Sequence, residues 1–161
     1  MTEKDRVRRY LIVADHALDD QQLAAKVQQS LAVGPCQFYL LVLATPAGTK
    51  ERIWWDMAVS GLSSAPNPNP AEELGWGRAR EQLAHHVVHL RKLGADADGE
   101  TGQPHPLRAI REVLAKRPAD EIILATSPHR VTRLLAMDLQ HRAHRSFGLP
   151  VTVLGIAPTE N

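Results

Sequence analysis

Short apolar runs and stretches of helical spacing alternate along this chain. Arg9 to Ala14, Phe38 to Ala44 and Glu121 to Thr126 are mainly apolar and end at Asp15, Thr45-Pro46 and Ser127-Pro128. Continuous runs of that length bounded by turn residues suit buried strands of a parallel sheet covered on both faces. Val151 to Leu154 predicts a last strand, and Ala95 to Thr101 a weaker, acidic one fit for a sheet edge, where charge discourages unwanted pairing. Between the strands the period changes. Asp19-Asp20 opens a helix with Leu23, Val27 and Leu31 on one stripe, broken by Gly34-Pro35. Leu83, Val87 and Leu90 carry a second from about Ala79 to Gly94, with His85 and His89 on its wet side. Gly102-Gln-Pro-His-Pro106 turns into a third, bearing Leu107, Ile110 and Leu114 and ending at Lys116-Arg-Pro118. Ser127 as cap and Pro128 in the first turn start a fourth, running to about Ser146 before Gly148-Leu-Pro150. Strands alternating with helices throughout predict an α/β three-layer sandwich around a parallel sheet of about five strands.

One segment departs from the alternation. From Ala47 to about Asn69 the chain is polar, with Trp54-Trp55 near its start and alternating asparagine and proline between Pro66 and Pro70. Residues 47–70 are read as a long loop insertion; loops of that length are lids, binding loops or disordered insertions. Trp76 stands just beyond, so three tryptophans cluster here, as a stacking lid, a dimer contact or anchors of the loop to the body. Gly75-Trp-Gly77 follows no strand and lacks the third glycine of a dinucleotide fingerprint.

Composition narrows the classes. A chain of 161 residues, 43% hydrophobic, is long enough for one sizeable core, and a single domain over 1–161 is expected. Lysine and arginine number 19 against 18 acids, so no global field favours nucleic acid or a membrane surface. Cys36 is the only cysteine, which excludes an internal disulfide and multi-cysteine metal sites and fits a reducing cytoplasm. The polar N-terminus predicts no secretion signal, and Phe38 to Ala44 is far too short to span a bilayer.

In an open parallel sheet ligands bind beyond the carboxyl ends of the strands. Thr126, Ser127, His129 and Arg130 stand there and offer hydroxyls, helix-end amides and a guanidinium fork for an anion. The plain alternative is a capped turn with two exposed basic side chains. On the helix that follows, Arg130, Arg133, His141, His144 and Arg145 share one broad face opposite Leu135, Leu139 and Ala143. That face is either simply solvated or a patch for an acidic partner or nucleic-acid backbone, strengthened as histidines protonate below about pH 6.5. His85 and His89 have chelating spacing, but no carboxylate or cysteine is expected nearby to complete the set. No metal site is expected there.

Taken together, several stretches resemble the universal stress protein family, small α/β domains related to the adenine nucleotide alpha hydrolases. They are Leu11-Ile-Val-Ala-Asp15, Tyr39 to Leu43, Gly102-Gln-Pro-His-Pro-Leu-Arg-Ala-Ile110, Ala119-Asp-Glu-Ile-Ile-Leu124 and Leu149-Pro-Val-Thr-Val153. The resemblance implies strand order 3-2-1-4-5 and a homodimer. It matches Asp15 to the aspartate that contacts the nucleoside, and Leu43 to the second-strand residue whose backbone meets the adenine edge. Asp at that turn is also a routine helix cap. ATP-binding members carry a glycine signature after the fourth strand, in which backbone amides close on phosphates. The matching positions here hold Ala125, Pro128, Asp138 and Leu139. Pro128 offers no amide, and Asp138 would repel a triphosphate.

The resemblance therefore implies a non-enzymatic binding or regulatory domain with a modified small-ligand pocket at Asp15, Leu43, Thr126, Ser127, His129 and Arg130. AMP or ATP are the candidate ligands, with ATP not held in the family's usual way. No catalytic residue is assigned. The alternative is a nucleotide-binding enzyme of the alpha hydrolase type acting on an adenylated or phosphorylated small molecule. That enzyme would want a glycine-rich phosphate loop after the first strand, where this chain has Asp15-His-Ala-Leu-Asp-Asp20. A phospho-receiver domain would need a lysine after the last strand, where Gly155 to Asn161 has none.

Overall fold

A computed structural model describes residues 6–14, 20–44, 70–125 and 133–154, with side chains from 74 and 137 onward in the last two segments. Five strands form one sheet: β1 (Arg8–Ala14), β2 (Cys36–Leu43), β3 (Asp96–Gly102), β4 (Glu121–Ala125) and β5 (Val151–Leu154). Four helices are described: α1 (Asp20–Val33), α2 (Pro70–Lys92), α3 (Pro106–Lys116) and α4 (Arg133–Phe147). All strand pairs are parallel, in the order β3-β2-β1-β4-β5. The expected α/β sandwich and its 3-2-1-4-5 order are both present.

The apolar runs explain why the sheet sits inside. Alternate residues of a strand face opposite ways, so a run apolar at every position needs cover on both sides. Leu11, Val13, Leu41, Leu43, Ile122 and Leu124 pack against Ala109, Ile110 and Val113 of α3 and Leu139 and Ala143 of α4. Tyr10, Ile12, Phe38, Leu40 and Ile123 pack on the other face against Leu23 and Val27 of α1 and Val87 and Leu90 of α2. Register is fixed along the central strands: Leu11 stands between Tyr39 and Ile122, and Ala14 between Val42 and Ala125.

Element boundaries shift modestly from the sequence expectation. β2 begins two residues earlier, at Cys36, whose thiol is buried against the end of α1. The largest difference is α2, which starts at Pro70 and takes in Gly75 and Gly77, well before the periodicity that begins near Ala79. Pro70 suits a first helical turn, and Ala71-Glu-Glu-Leu74 are strong helix formers that carry the chain to the glycines. Gly94 ends the helical stretch with φ +90, a backbone region that side chains with a Cβ rarely adopt. Acidic β3 lies at the sheet edge, as its sequence predicts. No described helix is long and apolar enough to cross a membrane. Trp54, Trp55 and most of the 47–70 loop lie outside the described residues; Trp76 packs against Val42, Ala44 and Ala79.

Candidate functional site

The chain winds from β1 to β2 and β3 on one side of the sheet, then crosses to β4 and β5 on the other. Where the winding reverses, the connections after two neighbouring strands diverge and leave a crevice at their carboxyl ends. In this chain those strands are β1 and β4. Their last residues, Ala14 and Ala125, are direct register partners, both at most 1% exposed. Asp15 follows the first and Thr126 the second in sequence. Asp15, Thr126, Ser127, His129 and Arg130 themselves lie outside the described residues. Leu43, at the same end of β2, pairs with Gly102 and is wholly buried in the core. Its side chain is therefore closed to a ligand.

A second cluster lies between α1 and α2. Asp20 is the first residue of α1, and its carboxylate is turned toward two neighbouring histidines of α2. Oδ2 is 2.9 Å from His85 Nε2 and Oδ1 is 2.8 Å from His86 Nδ1. The view that no carboxylate stands near the α2 histidines is thereby corrected: Asp20, 65 residues away in sequence, is brought there by packing of the two helices on one face of the sheet. His85 is exposed, whereas His86 is 1% exposed. The Asp20 to His86 contact lacks hydrogen-bond alignment. Among the described residues Asp20 Oδ1 and both nitrogens of His86 have no hydrogen-bond partner. His89, one turn further on, stacks parallel to His85 with ring centroids 6.4 Å apart.

Electrostatics in the cluster oppose one another. Burial works to raise the Asp20 carboxyl, but the hydrogen bond with His85 and the nearby His86 and His89 outweigh it, and its pKa falls below the usual value. Burial pushes the His86 imidazole down, against the pull of Asp20 in the other direction. His86 escaped notice because adjacent histidines on an amphipathic helix look alike in composition. The signal was in the spacing: Leu83, His86, Val87 and Leu90 follow the i, i+3, i+4, i+7 pattern of a buried stripe.

No family model matches this chain, and no curated protein matches it in sequence. Solved structures do. A universal stress protein from Archaeoglobus fulgidus superposes with a TM-score of 0.55 at 16% identity, covering 91% of this chain and 93% of that one. A protein from the universal stress protein family from Burkholderia pseudomallei gives 0.57 at 11% identity, over 91% and 95%. A third structure, described as a hypothetical protein, gives 0.54 at 14% identity, over 94% and 99%. The chain has the universal stress protein fold.

Within that fold, three positions matched to the glycine signature are described. Ala125 is completely buried at the end of β4, and Leu139 is 1% exposed in the core beneath α4. Asp138 is held by Arg142 one turn on, with Nε 3.1 Å from Oδ2. Pro128 lies outside the described residues. Along α4, His141, His144 and Arg145 are exposed while Leu139 and Ala143 are buried, the two-sided helix that its spacing predicts. The universal stress fold also leaves a cleft of about 200 Å³ at the opposite, amino rim of the sheet, walled by Arg9, Gln37, Tyr39, Asp96 and Arg117.

Proposed function

We propose that this chain is a universal-stress-like binding and regulatory domain that takes a small anionic or nucleotide-like ligand at the carboxyl rim between β1 and β4. Asp15, the backbone of Leu43, Thr126, Ser127, His129 and Arg130 form the site, with AMP or ATP as candidate ligands. The observation that carries this reading is the register pairing of Ala14 with Ala125 where the sheet reverses its winding. Two polar connections then start side by side at the position where such sheets bind ligands. Asp138 and the absence of glycines at the signature positions argue against a triphosphate held by backbone amides. The domain acts without catalysis, as a homodimer, in a reducing cytoplasm consistent with its single cysteine.

The test is thermal stabilisation of the purified chain by AMP, ATP, cyclic nucleotides, phosphate and sulfate, repeated with Asp15→Ala and Arg130→Ala. At about a hundredfold excess over Kd a ligand raises the midpoint by roughly 5 °C. A mononucleotide or simple anion is expected to do so, and both substitutions to abolish it. Stabilisation specific to ATP and lost in both variants would show that a triphosphate site persists. No shift with any ligand would refute the pocket.

A further inference from the structure

We propose that Asp20, His85 and His86 form a binding site for a divalent transition-metal ion, zinc by its donor set, that clips α1 to α2. It uses none of the residues assigned to the pocket proposed at the carboxyl rim. One ligand atom from each residue lies within 4.8 Å of the other two. Two imidazoles and a carboxylate are the borderline-soft donors zinc takes, and three protein ligands leave a fourth position for water or an anion.

The buried member points to a cation. His86 is 1% exposed, yet neither ring nitrogen finds a hydrogen-bond partner among the described residues, and Nδ1 faces Asp20 Oδ1 at 2.8 Å out of line for one. Two buried polar atoms thus stand in contact with no aligned hydrogen bond between them. A cation bound to both converts that unsatisfied contact into two bonds and removes the cost of burying unpaired polar atoms. Asp20 Oδ2 simultaneously faces His85 Nε2 at 2.9 Å, so the carboxylate already straddles both rings. Tetrahedral zinc, with bonds of about 2.0–2.1 Å, holds neighbouring donors roughly 3.3 Å apart. Loading requires Asp20 to withdraw by about half an ångström, and its side chain, 43% exposed, has room to do so. His85, 58% exposed, opens the route from solvent, while His86 anchors the ion on the core side.

The experiment titrates ZnCl₂ into the untagged, chelator-treated full chain by calorimetry near neutral pH. The visible spectrum of the cobalt-loaded protein is the second readout. The expected result is one zinc per chain, weakened at least about tenfold in Asp20→Asn and in His85→Gln. Both variants should also lose the cobalt spectrum, while His89→Gln stays near the parent. Asp20→Asn and His85→Gln alter exposed side chains, so the test does not depend on whether a His86 variant folds. Unchanged affinity in either variant would overturn the proposal. So would failure to saturate at one zinc per chain, or loss in His89→Gln with Asp20→Asn unaffected, since that pattern belongs to a surface His85 and His89 pair.

Discussion

Tyr39 donates its hydroxyl to Glu100 Oε1 at 2.9 Å, and the Arg117 guanidinium lies 4.4 Å above its ring. Burial and the Glu100 bond push its phenol up to about 12, from an ordinary value of 10.0. A folded-state pKa raised in this way adds stability that is whole below pH 10 and lost as pH climbs toward 12, because the unfolded chain gives up the proton first. Tyr39→Phe should therefore cost about 1 kcal/mol near neutral pH, the worth of one hydrogen bond, since Lys116 still pairs Glu100. The gap from the parent should close between pH 10 and pH 12, measured by denaturant unfolding at each pH. Single residues were unevenly legible in the sequence. The burial of Leu23, Val27, Leu90 and Ile110 followed from spacing, and so did the exposure of His85. The partnership of Asp20 with His85 and His86 did not, because nothing local in either helix encodes its neighbour. Asp20 was legible only as an acid suited to the first turn.

Between elements, β3 and β2 approach closely at the sheet edge. Gly99 of β3 stands opposite Leu40 of β2, and a Cβ there would come 2.5 Å from the Leu40 carbonyl oxygen and 2.6 Å from Leu83 Cδ1 of α2. One contact is backbone and cannot swing aside. Gly99→Ala is expected to destabilise the protein by about 1–3 kcal/mol, as overpacking does, with an unchanged m-value in urea. Strands β1, β2 and β4 were plain in the sequence because they lie inside the sheet and both of their faces meet helices. β3 was faint for the converse reason: Asp96, Asp98 and Glu100 belong to an edge, and Gly99 is there to let α2 close down. The start of α2 was hidden because Gly75 and Gly77 interrupt the periodicity by which a helix is recognised.

In the whole molecule, alternation of period is enough to predict a parallel sheet between two helix layers, but not the order of its strands. The acids of β3 point to an edge, but nothing in the apolar runs orders the other strands, so 3-2-1-4-5 rested on the resemblance and is the order the sheet adopts. The order matters for the proposed site, since it makes β1 and β4 neighbours and aligns Ala14 with Ala125.

Cys36 sits where α1 hands over to β2, 8% exposed, its Sγ donating to the Ser30 carbonyl at 3.3 Å and the Gly34 carbonyl at 3.2 Å. Burial pushes its thiol up, against a smaller opposing pull from Arg8. A disulfide reagent reacts with thiolate, so the folded chain should label slowly, and faster in step with the opening of this corner as urea is added. Rapid labelling without denaturant, at the pace of a free peptide thiol, would mean that the corner is already open. Being the sole sulfhydryl of the chain, it is a built-in stopwatch for the breathing of the layer that carries both α1 and α2.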